Sequence, residues 1–352
     1  RFPQTTIVYD LAGNEIKVVN SIPLNEIMPK GFAAAREGKR EMEWRDDKPA
    51  TLFYVEALDG GNPANKADFR DELFVWDAPF SSEPTSMAKT QQRFAGILWG
   101  DDKTALVYDS WYDTRNTKTY LINPSIPGEQ PKVIYDRNFQ DIYSDPGNFE
   151  TRENDFGQDV LAIENGNLFL LGEGYTEKGQ FPFIDQFNLK TLKTTRLYQS
   201  VFTDKKEDVL SIEDFKNGLA LVMIQSKNEY PNYFFRTFSK KDKIEQITFN
   251  KNPFESIKNV EKEVNKYKRP DGVELSRTLY LPLGYDKQKK EKLPLLIWAY
   301  PQEFKDKNSA GQSSHNPNEF TYPNYGSFVF WVTKGYVVLD DAAFPIIGEG
   351  EK

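Results

Sequence analysis

At 352 residues, with 38% hydrophobic and 14% aromatic side chains, the chain has a globular composition and enough length for two domains, which excludes wholesale disorder. Lys and Arg number 45 against 53 Asp and Glu, for a net charge of -8, and the basic residues are scattered rather than gathered into a stripe that tracks phosphates, so nucleic acid is excluded as a partner. Zero cysteines exclude disulfides, thiolate metal sites and a cysteine nucleophile, and leave the redox compartment open.

No apolar run reaches the roughly 18 residues that span a bilayer, and Arg1-Phe2-Pro3-Gln4-Thr5 carries no signal-peptide pattern, so a soluble chain with no membrane partner is expected. Localisation and oligomeric state stay open. The chain begins at Arg1 rather than Met and stops at Lys352 just past a glycine-rich turn, which leads us to expect a segment of a longer protein.

In chain order, the first feature is an internal repeat. Trp44-Arg45-Asp46-Asp47-Lys48 aligns with Trp99-Gly100-Asp101-Asp102-Lys103, the tryptophans lying 55 positions apart. In each copy the acidic turn precedes a β-rich run, residues 51–55 or 105–109, and a further apolar strand follows at 72–76 or 119–122. A looser pair continues the pattern. Asn165-Gly166 and Asn217-Gly218, 52 positions apart, mark tight turns before residues 167–170 and 219–221, and strand-like sequence closes each unit at 184–188, or at 233–238 with 244–249. A period near 50 with several short strands per unit is the signature of β-propeller blades, and the other reading is an antiparallel sandwich with chance similarity. Four units are visible where propellers carry 4 to 8 blades, which leaves room for more before Arg1.

Composition shifts at Asn250. Ile257, Val260, Val264 and Tyr267 recur at helical spacing, so residues 254–268 are predicted to form an amphipathic linker helix that ends at Arg269-Pro270. Asp271-Gly272 then reads as a hairpin turn and residues 275–281 as a strand broken at Pro282. The apolar run 293–299 lacks helical period and stops at Tyr300-Pro301, as an interior parallel strand opening into a functional crevice would. Residues 328–334 fit a helix stopped by Gly335, and 336–340 a third apolar strand neighbouring 293–299 in one sheet. The predicted fold class is therefore mainly β: β-propeller blades over residues 1–253, followed over 254–352 by the linker helix and the first part of an α/β domain.

The chemistry-bearing residues are few. An α/β-hydrolase places its nucleophile in Gly-x-Ser-x-Gly, and this chain contains no such pentapeptide. The single histidine, His315, lies in a polar loop; triad base and metal ligand are its functional readings, and a solvent-exposed loop residue is the expectation. Tyr300 ends the strand, where its hydroxyl is either an oxyanion donor aimed into the crevice or the tip of a packed ring. Gly348-Glu349-Gly350 lacks the Lys-Ser/Thr of a P-loop and the third glycine of a dinucleotide fingerprint. Asp46-Asp47 and Asp340-Asp341 read as turn and cap residues. No cofactor and no metal site is expected.

The strings Tyr267-Lys268-Arg269-Pro270-Asp271-Gly272, Trp298-Ala299-Tyr300-Pro301-Gln302-Glu303-Phe304-Lys305, Ala310-Gly311-Gln312, Asn316-Pro317-Asn318-Glu319-Phe320 and Pro345-Ile346-Ile347-Gly348-Glu349-Gly350 resemble the glutamyl endopeptidase branch of the prolyl oligopeptidase family. Trp44 to Pro49, Asp59-Gly60-Gly61, Leu106 to Tyr112 and Tyr143-Ser144-Asp145-Pro146-Gly147 resemble its propeller. The resemblance implies a serine peptidase in which a β-propeller caps an α/β-hydrolase domain, acting on peptides through an acyl-enzyme, possibly after Glu. It also implies that Tyr300 helps a backbone amide form the oxyanion hole. Triad Ser, Asp and His are not in this chain, so the segment alone is expected to be inactive. The alternative function is a non-catalytic propeller that binds peptides or proteins.

Overall fold

The computed structural model describes residues 2–238, 243–289 and 291–348. Internal contacts divide the chain into two compact units, Arg1–Phe139 with Thr151–Ile163, and Gln140–Glu150 with Glu164–Lys352. The expected boundary at 253/254 falls inside the second unit.

In the first unit, a hairpin of Gln4–Tyr9 and Glu15–Ile22 precedes two four-stranded antiparallel sheets whose strands pair in chain order. One sheet holds Arg40–Trp44, Thr51–Ala57, Asp71–Asp77 and Thr85–Thr90; the other holds Arg93–Asp101, Thr104–Trp111, Asn116–Ile122 and Lys132–Asn138. Side chains alternate across a strand, so an inner strand buried on both faces must be apolar at nearly every position. Thr51–Ala57 meets that demand: Phe53 and Val55 pack against Trp99 and Val107 of the second sheet, while Leu52 joins Val19, Trp76 and Phe80 on the other side. The Trp44/Trp99 repeat is real in register but not in burial. Trp99 is 1% exposed with the Arg45 guanidinium 4.3 Å above its ring, whereas Trp44 is 49% exposed.

A buried ion network crosses this unit. The Arg93 guanidinium donates to both oxygens of Asp59 (2.9 and 3.1 Å from Nη2), to Asp71 (2.8 Å) and to the carbonyl of Ala33 (2.9 Å). Arg70 also reaches Asp59 at 2.8 Å, and Arg40 pairs with Asp71. Gly61, in the Asp59-Gly60-Gly61 turn, has φ +69 and lies so close to the next backbone that a Cβ would stand 2.0 Å from the Ala35 carbonyl oxygen. Only glycine fits there.

The second unit repeats the sheet pattern. Asn148–Phe149, Asn167–Gly172, Phe183–Asn188 and Lys193–Gln199 form one antiparallel sheet, and Lys206–Asp214, Leu219–Gln225, Asn232–Thr237 and Lys243–Gln246 the next. Phe169 and Ile184 of the former pack on Ile212, Val222 and Ile224 of the latter. Asn165 and Gly166 both take positive φ (51° and 75°), as the Asn-Gly turn chemistry predicts. All four predicted units are thus four-stranded antiparallel sheets in sequence.

The predicted linker helix over 254–268 is wrong. Glu255–Ile257 is a single 3-10 turn, and Glu261–Lys268 is a strand paired residue for residue with Glu274–Leu281. The apparent helical period rested on four residues, of which Val264 and Tyr267, three apart, fall on opposite faces of a strand. Hairpin pairing around Asp271-Gly272 overrides it.

Beyond the hairpin, the sheet runs Glu261–Lys268, Glu274–Leu281, Val337–Asp340, Leu295–Ile297, and the last pair is parallel, so the predicted neighbours do share one sheet. The run expected to be an interior strand is instead the edge of that sheet among the described residues, with Leu295 and Ile297 exposed. A second parallel ladder, Pro301–Phe304 with Phe344–Ile347, continues from these two strands. Phe328–Lys334 is 3-10 rather than α-helical, buries Val329 and Val332 against Tyr280 and Val338, and stops at Gly335 with φ +82.

Candidate functional site

The two parallel ladders bend at the same level, after Leu295–Ile297 on one chain segment and after Val337–Asp340 on the other. Trp298 marks the bend: its N–H donates to the Leu339 carbonyl at 2.8 Å, its carbonyl accepts from Ala342 at 3.1 Å, and its ring stacks on Phe328 with centroids 4.4 Å apart. Tyr300 follows, just ahead of Pro301–Phe304. This is the carboxyl end of parallel strands, where open α/β sheets place their ligands.

Tyr300 is 74% exposed and borders a solvent-open cavity of about 110 Å³. The packed-ring alternative therefore does not describe it. No hydrogen bond engages the Tyr300 hydroxyl or the Gln302 and Ser314 side chains among the described residues, so the cavity rim offers free donors. Deeper in, Ser313 Oγ donates to Ser276 Oγ at 3.1 Å. No Lys or Arg lines the cavity.

His315 lines the same cavity and corrects the expectation of a solvent-exposed loop residue. Its side chain is 11% exposed, with Nδ1 3.2 Å from Thr278 Oγ1 and Nε2 3.2 Å from Asp341 Oδ2. Sequence reasoning missed the pair because Thr278, His315 and Asp341 are far apart in the chain; the signal was a lone histidine in a polar loop followed downstream by an acidic doublet. Asp341 sits at φ +47, and its hydrogen bond with His315 holds the carboxyl below the usual range. Burial pushes the neighbouring Asp340 up. Only Asp341 lies in a bend; Asp340 ends the strand Val337–Asp340, so the expectation of a turn holds for one member of the doublet, and that member is tied to the histidine.

The loop that carries His315 is anchored along its length. Gln312 donates to Asp141 at 2.7 Å, the Ser313 N–H to the Tyr143 hydroxyl at 3.1 Å, and the buried Asn316 to Gln180 at 3.0 Å. The Phe320 N–H donates to Gln225 at 2.9 Å, and Glu319 pairs with Lys206 at 2.9 Å. The Asn316-Pro317-Asn318-Glu319-Phe320 string is therefore a strap joining the cavity wall to Gln180 and to the sheet that holds Lys206 and Gln225.

Among the described residues no group of three or more His, Asp or Glu side chains is arranged to hold a metal, and no helix is long and apolar enough to cross a membrane. Glu349 and Gly350 of the glycine-rich string lie outside the described residues.

No protein-family model matches the chain. Two curated relatives, both described as probable chloroplastic glutamyl endopeptidases, match all of it: that of Oryza sativa subsp. japonica at 37% identity over 370 residues and that of Arabidopsis thaliana at 37% over 371. The chain spans 39% and 38% of their lengths. Among solved structures, Pyrococcus horikoshii acylaminoacyl peptidase aligns over 97% of this chain and 43% of its own at TM-score 0.48 and 12% identity. Trypanosoma brucei oligopeptidase B with covalently bound antipain aligns over 86% of this chain and 45% of its own at TM-score 0.47 and 12% identity. Along all 352 residues the chain is thus similar to the two plant glutamyl endopeptidases, of which it spans less than two fifths.

Proposed function

We propose that the whole protein is a serine peptidase, in which this chain supplies propeller blades over residues 1–253 and the first part of an α/β-hydrolase domain over 254–352. A serine, activated by a histidine that a carboxylate orients, attacks the peptide carbonyl and forms an acyl-enzyme that water then hydrolyses. In this reading the three triad residues come from sequence outside the chain, and Tyr300 donates its hydroxyl to the oxygen that becomes negative in the tetrahedral intermediate. The observation that carries the assignment is the free Tyr300 hydroxyl at the carboxyl end of parallel strands, beside a polar cavity. A fixed donor aimed at developing charge is worth more in the transition state than in the ground state.

A preference for cleavage after Glu fits the same cavity. Free donors on Gln302 and Ser314 suit an oxygen acceptor such as a side-chain carboxylate. With no Lys or Arg in the lining and a net charge of -8, hydrogen-bond donors rather than bulk positive charge would read that group.

Fluorophosphonate labelling of the full-length protein beside this 352-residue chain tests the reading. Stoichiometric labelling of the former and none of the latter is expected. Failure to label the full-length protein would favour the non-catalytic propeller that binds peptides; labelling of the short chain would place a nucleophile where none is assigned.

A further inference from the structure

His315 has no part in the proposed reaction, yet both of its ring nitrogens are engaged at the wall of the Tyr300 cavity. Asp341, its partner, holds a left-handed φ of +47, a conformation that costs a side-chain-bearing residue roughly 1 kcal/mol and persists where neighbours over-determine it. The next residue, Ala342, donates its N–H to the Trp298 carbonyl at 3.1 Å, and Trp298 lies two residues before Tyr300. Thr278–His315, His315–Asp341 and Ala342–Trp298 contacts, joined by the Asp341–Ala342 peptide bond, thus form a path from the middle of Glu274–Leu281 to the segment that carries Tyr300.

We propose that His315 is a positioning residue: by holding the Asp341 carboxylate it fixes the left-handed turn against Trp298, and so makes the placement of Tyr300 depend on the protonation state of the His315–Asp341 couple. The catalytic side of this rests on the assignment of Tyr300 as oxyanion donor; the structural coupling does not.

The charge balance gives the direction. With His315 protonated the couple is a closed ion pair, and both ring nitrogens donate. With His315 neutral the couple carries a net negative charge, and only one nitrogen can donate. The other ionisable groups facing it are Asp340 at the end of Val337–Asp340, Lys262 beyond Asp340 on Glu261–Lys268, which Glu274–Leu281 separates from the Asp340 strand, and Tyr300 across the cavity. Thr278, Ser276 and Ser313 contribute hydroxyls that do not titrate here. The turn is therefore firmest while His315 is charged and Asp341 ionised, and the hydrogen bond from His315 holds the Asp341 carboxyl below its ordinary range.

The chain has one histidine, so its two imidazole C–H proton NMR signals are free of overlap from other histidines. Ring-labelled tyrosine supplies the second probe, with Tyr300 assigned by its disappearance in Tyr300→Phe. In the 352-residue chain the Tyr300 signal should move along the same pH curve as the His315 signal. Asp341→Asn tolerates the left-handed turn and removes the charge; in it the Tyr300 signal should stay flat while His315 still titrates. A Tyr300 signal that is flat in the parent, or that still follows His315 in Asp341→Asn, overturns the proposal. In the full-length enzyme His315→Gln should lose the matching limb of the kcat profile against pH with KM unchanged. Should Tyr300→Phe be fully active while the NMR coupling holds, the oxyanion assignment fails and the positioning path stands.

Discussion

Replacing Arg93 by alanine removes the centre of the ion network in the first unit. Arg93 is 8% exposed, and its guanidinium satisfies Asp59 through two nitrogens, Asp71 through one, and the Ala33 carbonyl. Both carboxylates are fully shielded from solvent, so their removal from water was tolerable only with partners in place. Breaking one partner of a buried pair costs about 3–5 kcal/mol. Asp59 keeps Arg70 and Asp71 keeps Arg40, which places the cost at the low end, about 3 kcal/mol. For a unit of this size each kcal/mol moves the melting temperature by about 2–4 °C, so a fall of about 6–12 °C is expected by differential scanning calorimetry. In urea the midpoint should fall with an unchanged slope, since the surface exposed on unfolding is the same. Burial alone pushes Asp59 up, but hydrogen bonds from Arg93 and then Arg70 outweigh it and hold the carboxyl below its ordinary range. A depressed carboxyl contributes stability that is complete above the ordinary carboxyl range and lost as pH falls through the depressed value. Arg93→Ala should therefore lose less on acidification than the parent. A melting temperature within about 2 °C of the parent at neutral pH would refute the claim that Arg93 is needed to hold the two buried carboxylates, because Arg70 and Arg40 would then suffice by themselves.

Two further outcomes follow from single positions. In the full-length enzyme Tyr300→Phe should lower kcat and kcat/KM equally, by about a hundredfold or about 3 kcal/mol, with the melting temperature unchanged because the ring is exposed; a change in KM alone would move Tyr300 to ground-state binding. Gly61→Ala should destabilise the first unit by at least about 2 kcal/mol in urea unfolding, since the new Cβ meets the Ala35 carbonyl at 2.0 Å in a backbone conformation that already disfavours it; a loss under about 0.5 kcal/mol would mean that the 59–61 turn can shift without consequence.

How far the sequence could be read depended on the range of the interaction that decides each element. The sheets were legible because their determinants are local: Asp101-Asp102 and Asn165-Gly166 set turns, and the runs between them are rich in β-branched and aromatic residues. The 254–268 segment was misread because its strand is decided by pairing with Glu274–Leu281, which no period inside the segment records. Tyr300 could be placed at the end of an apolar run ahead of a proline, since that is a local signal. Its exposure could not, because exposure depends on which strand neighbours Leu295–Ile297 and on the order in which the sheet is assembled.

His315 shows the same limit at the level of chemistry. A histidine takes its character from what faces each ring nitrogen, and here one partner lies 37 residues upstream and the other beyond the 3-10 segment on a separate strand end. The strap explains why the fold can afford such a dispersed arrangement. Gln312, Ser313, Asn316, Glu319 and Phe320 spend their polar groups on residues 141–143, 180, 206 and 225, so the backbone on either side of His315 is held from both directions. An imidazole on a rigid strap, facing a strained turn, converts a change of one proton into a change of hydrogen bonding at a fixed place. Were the loop loosely tethered, it would absorb that change itself, and nothing would reach Trp298 or Tyr300.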